Sequence, residues 1–526
     1  MNLILSIKAR IDSVKNTLKS RYWDYTKYYK DGEIWEDTVF LESFNGKNFQ
    51  GNPYYIYKHL IKDEKYKDYK IVVSSVYPEK LKGELTARGL IRENVSFIES
   101  NSAEYKRVIA HAKYLVSNVS FPMDFIKKKD QVYLNTWHGT PLKTLGRRVL
   151  TDPFMFANAQ RNFLMSDYLI APNPLTKSVY EDDHCVKGIM QGELCLAGYP
   201  RNSVFFDEEY RSEVKKRYGL ENAKAILYMP TWRGDACKVD AVDQVSEIER
   251  LAKDLGEEYR VYVKFHPAMQ NQNGEFKYCK KMPDGIEVYE FLNAVDILIT
   301  DYSSVFFDYA NAGKKIVLYQ YDKAEYYESR GVYPEVEKNL PFPIAYTYDE
   351  LIDFVKKEKA YDDSEFLKEF CPYDNLFGAK SAVEKLFSGK PNEKQSAVDL
   401  YVVDFPVTEE QVLAWQEKLK DANFLFAFVL GKNSGEFEKI KSWDKIRYTV
   451  LNVYDRLTFG ERIKKAFYQF FYCVFKSKGA LKKLKEYAAR ERTRIFGYTK
   501  IGHIYAKGNK LPTSVQIDAE SWPTNL

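Results

Sequence analysis

Residues 295–315 read VDILITDYSSVFFDYANAGKK. The run VDILIT (295–300) is short, apolar and rich in β-branched residues, which suits a strand buried on both faces. Asp301, Ser303 and Ser304 follow, residue types that accept hydrogen bonds from the free N–H groups of a helix start. SSVFFDYANAG continues as a helix, and KKIVLYQ (314–320) returns as a strand. This strand–turn–helix–strand order predicts a βαβ unit and therefore a parallel sheet.

The alternation extends in both directions. Upstream, AILYMP (225–230), YRVYVKF (259–265) and GIEVY (285–289) are expected strands, with VDQVSEIERLAKDL (242–255) as a helix. Further upstream, TVFLES (38–43), YKIVVSSV (69–76), NVSFIES (94–100), AKYLVSNVS (112–120) and VYLNTW (132–137) form a first series, with helical NPYYIYKHLIK after the turn at Asn45 and Gly46. Two such halves predict an α/β fold with two facing doubly wound domains and a cleft between them. The expected boundaries are 34–205 and 206–390, preceded by a basic helical segment, 1–33, and followed by a further region, 398–526.

Composition narrows the function classes. The 526 residues carry 79 basic and 74 acidic side chains, a net charge of +5, too small to imply a nucleic-acid partner. No apolar run of about 18 residues suggests a membrane-spanning helix. The opening stretch Leu3–Ile7 is too short for a signal-peptide core, and the six cysteines are scattered without a CxxC or CxxH pair. The expected compartment is reducing and cytoplasmic, with neither a zinc site nor a disulfide framework. P-loop, GxGxxG, GxSxG, HExxH and acidic metal-binding patterns are absent, so neither a metal nor a cofactor is expected.

The charge is unevenly placed. Residues 1–30 carry +5 and repeat apolar residues at helical spacing, while 461–496 carry +8 beside the aromatic cluster Phe467–Phe475. Both patterns suit an anionic membrane surface and also a helix packed on its own protein. The linker SGKPNEKQS (389–397) leads to strands VDLYVVDF, NFLFAFVL and IRYTVLNV and a helix over 408–422, an additional α/β region.

Several side chains sit where an open α/β sheet binds ligands. His138, in NTWHGTPLK, ends a strand, and Gly139 permits close approach. A histidine there can take a proton from a hydroxyl, but position alone equally allows a capped structural side chain. Lys264 and His266, in VKFHP, form a second strand end suited to a phosphate. Thr300, Asp301, Ser303 and Ser304 form a third, where hydroxyls and backbone N–H groups can hold an anion or simply cap the helix. Arg233, Arg201 and Arg330 lie in comparable turns, although each alone reads as a surface arginine.

Taken in order, ESFNGKNFQGNP (42–53), NTWHGTPLK (135–143), LAGYPRN (196–202), ILYMPTWRG (226–234), VKFHP (263–267), DILITDYSSVFFDYA (296–310) and YYESRGVYPE (326–335) resemble the CDP-glycerol glycerophosphotransferases, the teichoic acid primases and polymerases, and their CDP-ribitol-using relatives. The resemblance covers about residues 37–390. It implies a GT-B-like fold of two Rossmann-like domains on the cytoplasmic face of the membrane, the first on the acceptor side and the second binding the CDP donor. It also implies transfer of a polyol phosphate to a lipid-linked saccharide or polyol-phosphate acceptor. By match to the family's motifs, His138 is the expected base and His266 the expected partner of the donor diphosphate. Lys264, Arg233, Thr300, Asp301, Ser303, Ser304 and Arg330 are expected on the donor side, and Gly139, Thr140 and Gly46 on the acceptor side. CDP-glycerol and CDP-ribitol both remain candidate donors, a sugar-nucleotide glycosyltransferase is the alternative on the same fold, and a homo-oligomer is left open.

Overall fold

The computed structural model describes residues 25, 28–29, 31–122, 125–149, 153–231, 244–265, 276–391, 399–404, 408–420, 424–430, 436–452, 504–506 and 516–517. Strands β1 (Trp35–Glu42), β2 (Lys70–Ser75), β3 (Val95–Glu99), β4 (Ala112–Ser117), β5 (Val132–Asn135), β6 (Tyr168–Ala171) and β7 (Glu193–Leu196) form one sheet in the order 3-2-1-4-5-6-7. Every pairing in it is parallel. Both faces are covered, as a parallel sheet requires. Leu41 packs toward the helix Asn52–Lys62, while its neighbour Phe40 packs with Tyr105 and Phe121 on the other face.

The segment Pro200–Phe206 carries the chain to the second lobe. There β8 (Lys224–Met229), β9 (Tyr259–Val263), β10 (Lys280–Lys281), β11 (Ile297–Thr300), β12 (Lys315–Tyr319) and β13 (Ile344–Ala345) form a parallel sheet in the order 10-9-8-11-12-13. The two lobes follow the GT-B-like, two-domain α/β plan. The helix Gly378–Phe387 crosses back, and Phe387 packs against Tyr66, Tyr69 and Tyr114 at ring distances of 4.8, 4.8 and 4.4 Å. The expected division at residue 390 is therefore blurred, because the chain's last helix before the linker belongs to the first lobe's core.

One expected strand is a helix start instead. GIEVY (285–289) has β-branched residues, but Glu287 accepts hydrogen bonds from Tyr289 N and Glu290 N and opens the helix Val288–Ala294. Capping and burial override strand propensity here.

Strands β14 (Asp399–Asp404), β15 (Phe424–Leu430), β16 (Tyr448–Asn452), β17 (Ile504–Ala506) and β18 (Gln516–Ile517) form a third sheet, ordered 16-15-14-17-18, with β18 antiparallel to β17. It packs on the helix Pro153–Met165 of the first lobe. Leu425 and Ala427 join Phe163 and Trp137 in one buried cluster, and Phe426, Phe428 and Tyr448 join Phe156 in another. Gln160 Nε2 donates to Tyr448 O at 2.9 Å and Arg147 Nη1 to Asp444 O at 3.0 Å. The basic stretch 461–496 and nearly all of 1–30 lie outside the described residues.

Candidate active site between the lobes

The carboxyl end of β5 leads into Trp137 and His138. Trp137 has φ +49°, a left-handed conformation that a bulky residue adopts only when its surroundings impose it. Those surroundings are hydrogen bonds. Asn52 Nδ2 donates to Trp137 O at 3.2 Å, and Arg201 Nη1 donates to His138 O at 2.9 Å. Two consecutive carbonyls are thus held by side chains distant in sequence.

The imidazole is held as well. His138 Nδ1 lies 2.8 Å from Asn118 O, and a carbonyl can only accept, so Nδ1 carries the proton. Nε2 then presents its lone pair. Asn118 also accepts Phe44 N through Oδ1 at 2.9 Å, which sets the Phe44 ring edge-on to His138 at 6.0 Å. Burial pushes the His138 pKa down to about 4, opposed by the Asn118 carbonyl and reinforced by the Arg201 charge. The ring is therefore neutral at physiological pH and able to accept a proton.

Across the cleft stands the turn after β11. Asp301 accepts Thr231 N at 2.9 and 3.0 Å, Thr231 Oγ1 at 2.6 Å and Tyr302 N at 2.7 Å. Thr300 Oγ1 donates to Met229 O at 2.7 Å. Both residues are buried and point inward, so they shape the turn from beneath rather than face a ligand. Ser303 and Ser304 are only partly buried, and Ser303 Oγ accepts Val305 N at 3.5 Å. Ser304 begins the helix Val305–Ala310 without a side-chain capping bond. A Cβ on Gly139 would stand 2.7 Å from Ser304 Oγ, so the loop of His138 and the serine turn are in direct contact.

Between the lobes runs a cleft of about 520 Å³, lined by Lys47, Gln50 and Lys80 of the first lobe and Lys264, Lys281 and Glu287 of the second, whose lining includes neither His138 nor the serine turn. Burial lowers the Lys264 pKa, and Glu287 partly offsets this. Lys264 has no ion pair within the described residues, so its charge is available to an anion. Glu287 itself is committed: it accepts Gly51 N at 3.0 Å and Tyr55 OH at 3.1 Å across the lobes.

The other expected residues divide. Gly46 has φ +74°, and a Cβ there would come within 1.7 Å of Ser100 Oγ, so its lack of a side chain lets the turn pack against the ends of β2 and β3. Thr140 is buried, accepting Asn173 Nδ2 at 2.8 Å. Arg330 ends a helix, and its carbonyl accepts Thr144 Oγ1 at 3.1 Å, tying the lobes together beyond the serine turn. His266 and Arg233 lie outside the described residues. Arg201, a candidate for the phosphate-handling cleft that could equally have been a surface arginine, is fully buried. Asn52, Asn118 and Asp308 are not recognisable in the sequence, since each looks like an ordinary polar residue until folding brings its partner alongside. Among the described residues no group of three or more His, Cys, Asp or Glu side chains is placed to hold a metal ion.

Comparison with known proteins identifies the family and the fold. The family model of CDP-glycerol:poly(glycerophosphate) glycerophosphotransferase matches residues 27–387. A teichoic acid poly(glycerol phosphate) polymerase of Staphylococcus epidermidis is 31% identical over 387 residues, covering 69% of this chain and 51% of the relative. One from Bacillus spizizenii is 31% identical over 374 residues, covering 67% and 92%. The chain thus spans about half the length of the first relative and most of the second. A solved structure of the wall teichoic acid polymerase TagF superposes with a TM-score of 0.61 at 27% identity, over 73% of this chain and 98% of that one. On both its ordered motifs and its fold, the chain belongs to the CDP-glycerol:poly(glycerophosphate) glycerophosphotransferase family.

Proposed function

We propose that the protein transfers glycerol phosphate from CDP-glycerol to a hydroxyl of a lipid-linked acceptor and releases CMP. The carrying observation is His138, neutral and fixed in the Nδ1–H tautomer, against the serine turn. The acceptor hydroxyl gives its proton to Nε2 as its oxygen attacks the glycerol-bearing phosphorus. A new P–O bond forms, the bond to the bridging oxygen breaks, and CMP leaves. Such a transfer depends on positioning and charge neutralisation more than on covalent chemistry. Lys264 and the hydroxyls of Ser303 and Ser304 are suited to the donor phosphates, with His266, Arg233 and Arg330 joining them on the basis of motif alone. Glycerol is favoured over ribitol because the relatives described above are glycerol phosphate polymerases.

The test incubates the full chain with a lipid-linked acceptor and CDP-glycerol, CDP-ribitol or UDP-sugars, with mass spectrometry of the products. CMP with a product heavier by glycerol phosphate is expected. Release of UDP instead would establish the glycosyltransferase alternative. A peripheral position on the cytoplasmic face of the membrane belongs to the same reading, supported by the basic sequences 1–30 and 461–496. No helix among the described residues is long and apolar enough to cross a membrane. Flotation with anionic liposomes, comparing the full chain with a variant whose lysines in 461–496 are replaced by glutamine, tests that attachment.

A further inference from the structure

One guanidinium touches both halves of the site. Arg201 lies in the segment joining the lobes, and its side chain is 2% exposed. Nη1 donates to the carbonyl of His138 at 2.9 Å, while Nη2 donates to Asp308 Oδ2 at 2.7 Å. Asp308 stands one helical turn after Ser304, on the same short helix. It also accepts Tyr289 OH at 2.9 Å. Tyr199 and Tyr289 each place a ring 4.8 Å from the guanidinium, one from each lobe. The backbone N of Arg201 donates to Asn52 Oδ1 at 3.2 Å, and Asn52 in turn holds Trp137 O.

We infer that Arg201 and Asp308 are positioning residues that set the distance between the base His138 and the donor-side serine turn, and that Arg201 is not a phosphate ligand. The pair is closed to solvent, and its charges are used on each other. A fork-shaped guanidinium can hold a carbonyl and a carboxylate at once in fixed directions, which a lysine ammonium cannot do from one point. The contact it regulates has no slack: Gly139 lies so near Ser304 that a single methyl group would reach its hydroxyl. A shift of the second lobe by an ångström would therefore change the alignment of attacking hydroxyl, base and phosphorus, where misplacement costs about a hundredfold in rate.

This inference rests on the transfer reading above, so the wild-type full chain is assayed first with CDP-glycerol and a lipid-linked acceptor. Absence of turnover there defeats the transfer reading itself. With turnover established, Arg201→Gln, Arg201→Lys and Asp308→Asn are compared by kcat, donor KM and the pH profile of kcat/KM, with circular dichroism and thermal unfolding as folding controls. The expected result is a fall in kcat of roughly tenfold to a hundredfold with donor KM within about threefold of wild type. Arg201→Lys should recover little of the loss. Arg201→Gln removes a positive charge beside His138 and should move the acidic limb of the profile to higher pH. Asp308→Asn leaves the arginine charge uncompensated and should move the acidic limb to lower pH. Opposite displacement distinguishes positioning from general damage to the fold, which would lower both rates without separating the limbs. A raised KM with kcat preserved in Arg201→Gln would instead make Arg201 a donor ligand and overturn the inference. So would unchanged kinetics in well-folded Asp308→Asn.

Discussion

The two loops that meet between the lobes are built on opposite plans. The loop of His138 is held from outside: Asn52, Asn118 and Arg201, from three other parts of the chain, fix its carbonyls and its ring. The turn of Ser303 and Ser304 is held from below by Asp301, the residue just before Tyr302, while Ser303 Oγ accepts only a long bond from Val305 N at 3.5 Å and Ser304 makes no capping bond. A base needs one direction and one protonation state, which demands many partners. A phosphate cradle needs unspent donors, which demands few.

That contrast can be broken by substitution. The largest effect is expected from His138→Ala, which should reduce kcat by about 10²–10⁴-fold while CDP-glycerol binding, measured by calorimetry, persists. Retained turnover would remove His138 as the base. Asp301→Ala should act on folding, because Thr231 and Tyr302 lose their acceptor. A loss of about 3 kcal/mol by denaturant unfolding is expected, and full stability would show that the turn does not depend on it.

Protonation gives an intermediate effect. His184 lies buried beneath Trp137 and Phe163, and burial lowers its pKa to about 4 from an ordinary 6.5. The unfolded chain therefore binds the proton first. The contribution of His184 to stability is complete above pH 6.5 and is lost as pH falls toward 4. His184→Leu should narrow the stability difference between pH 7 and pH 5 by about 2 kcal/mol, read from paired urea curves. The smallest effect belongs to an open hydroxyl. Ser304→Ala should raise the donor KM about tenfold, through one lost hydrogen bond to a charged group, with little change in kcat. An unaltered KM would take Ser304 out of the donor site.

Much of the fold is legible in the sequence. NPYYIYKHLIK reads as a helix and forms one over Asn52–Lys62, because Pro53 suits a first turn and Tyr54, Tyr57 and Ile61 repeat on a buried face. The strands of VDILIT and KKIVLYQ announce themselves by continuous apolar runs. Two further strands of the first sheet, β6 and β7, go unrecognised in the sequence. GIEVY misleads because its β-branched residues read as a strand, while Glu287 caps the following helix through Tyr289 N and Glu290 N and also accepts Gly51 N of the other lobe. At the site, His138, Gly139, Ser303, Ser304 and Lys264 are recognisable from their places at strand ends. Thr300, Asp301 and Thr140 occupy similar places yet face inward, a direction that spacing along the chain does not encode.

The sequence by itself determined the two α/β series, the family motifs and the residue types able to move a proton and hold a phosphate, because strand burial and turn chemistry are local properties. Only the tertiary structure decided which nitrogen of His138 is free, that Arg201 is a buried bridge, and that the region after residue 398 rests behind Trp137. Those outcomes arise from contacts between separate segments of the chain, from 20 residues apart for His138 and Asn118 to 107 for Arg201 and Asp308, whose energies exist only once the chain has folded.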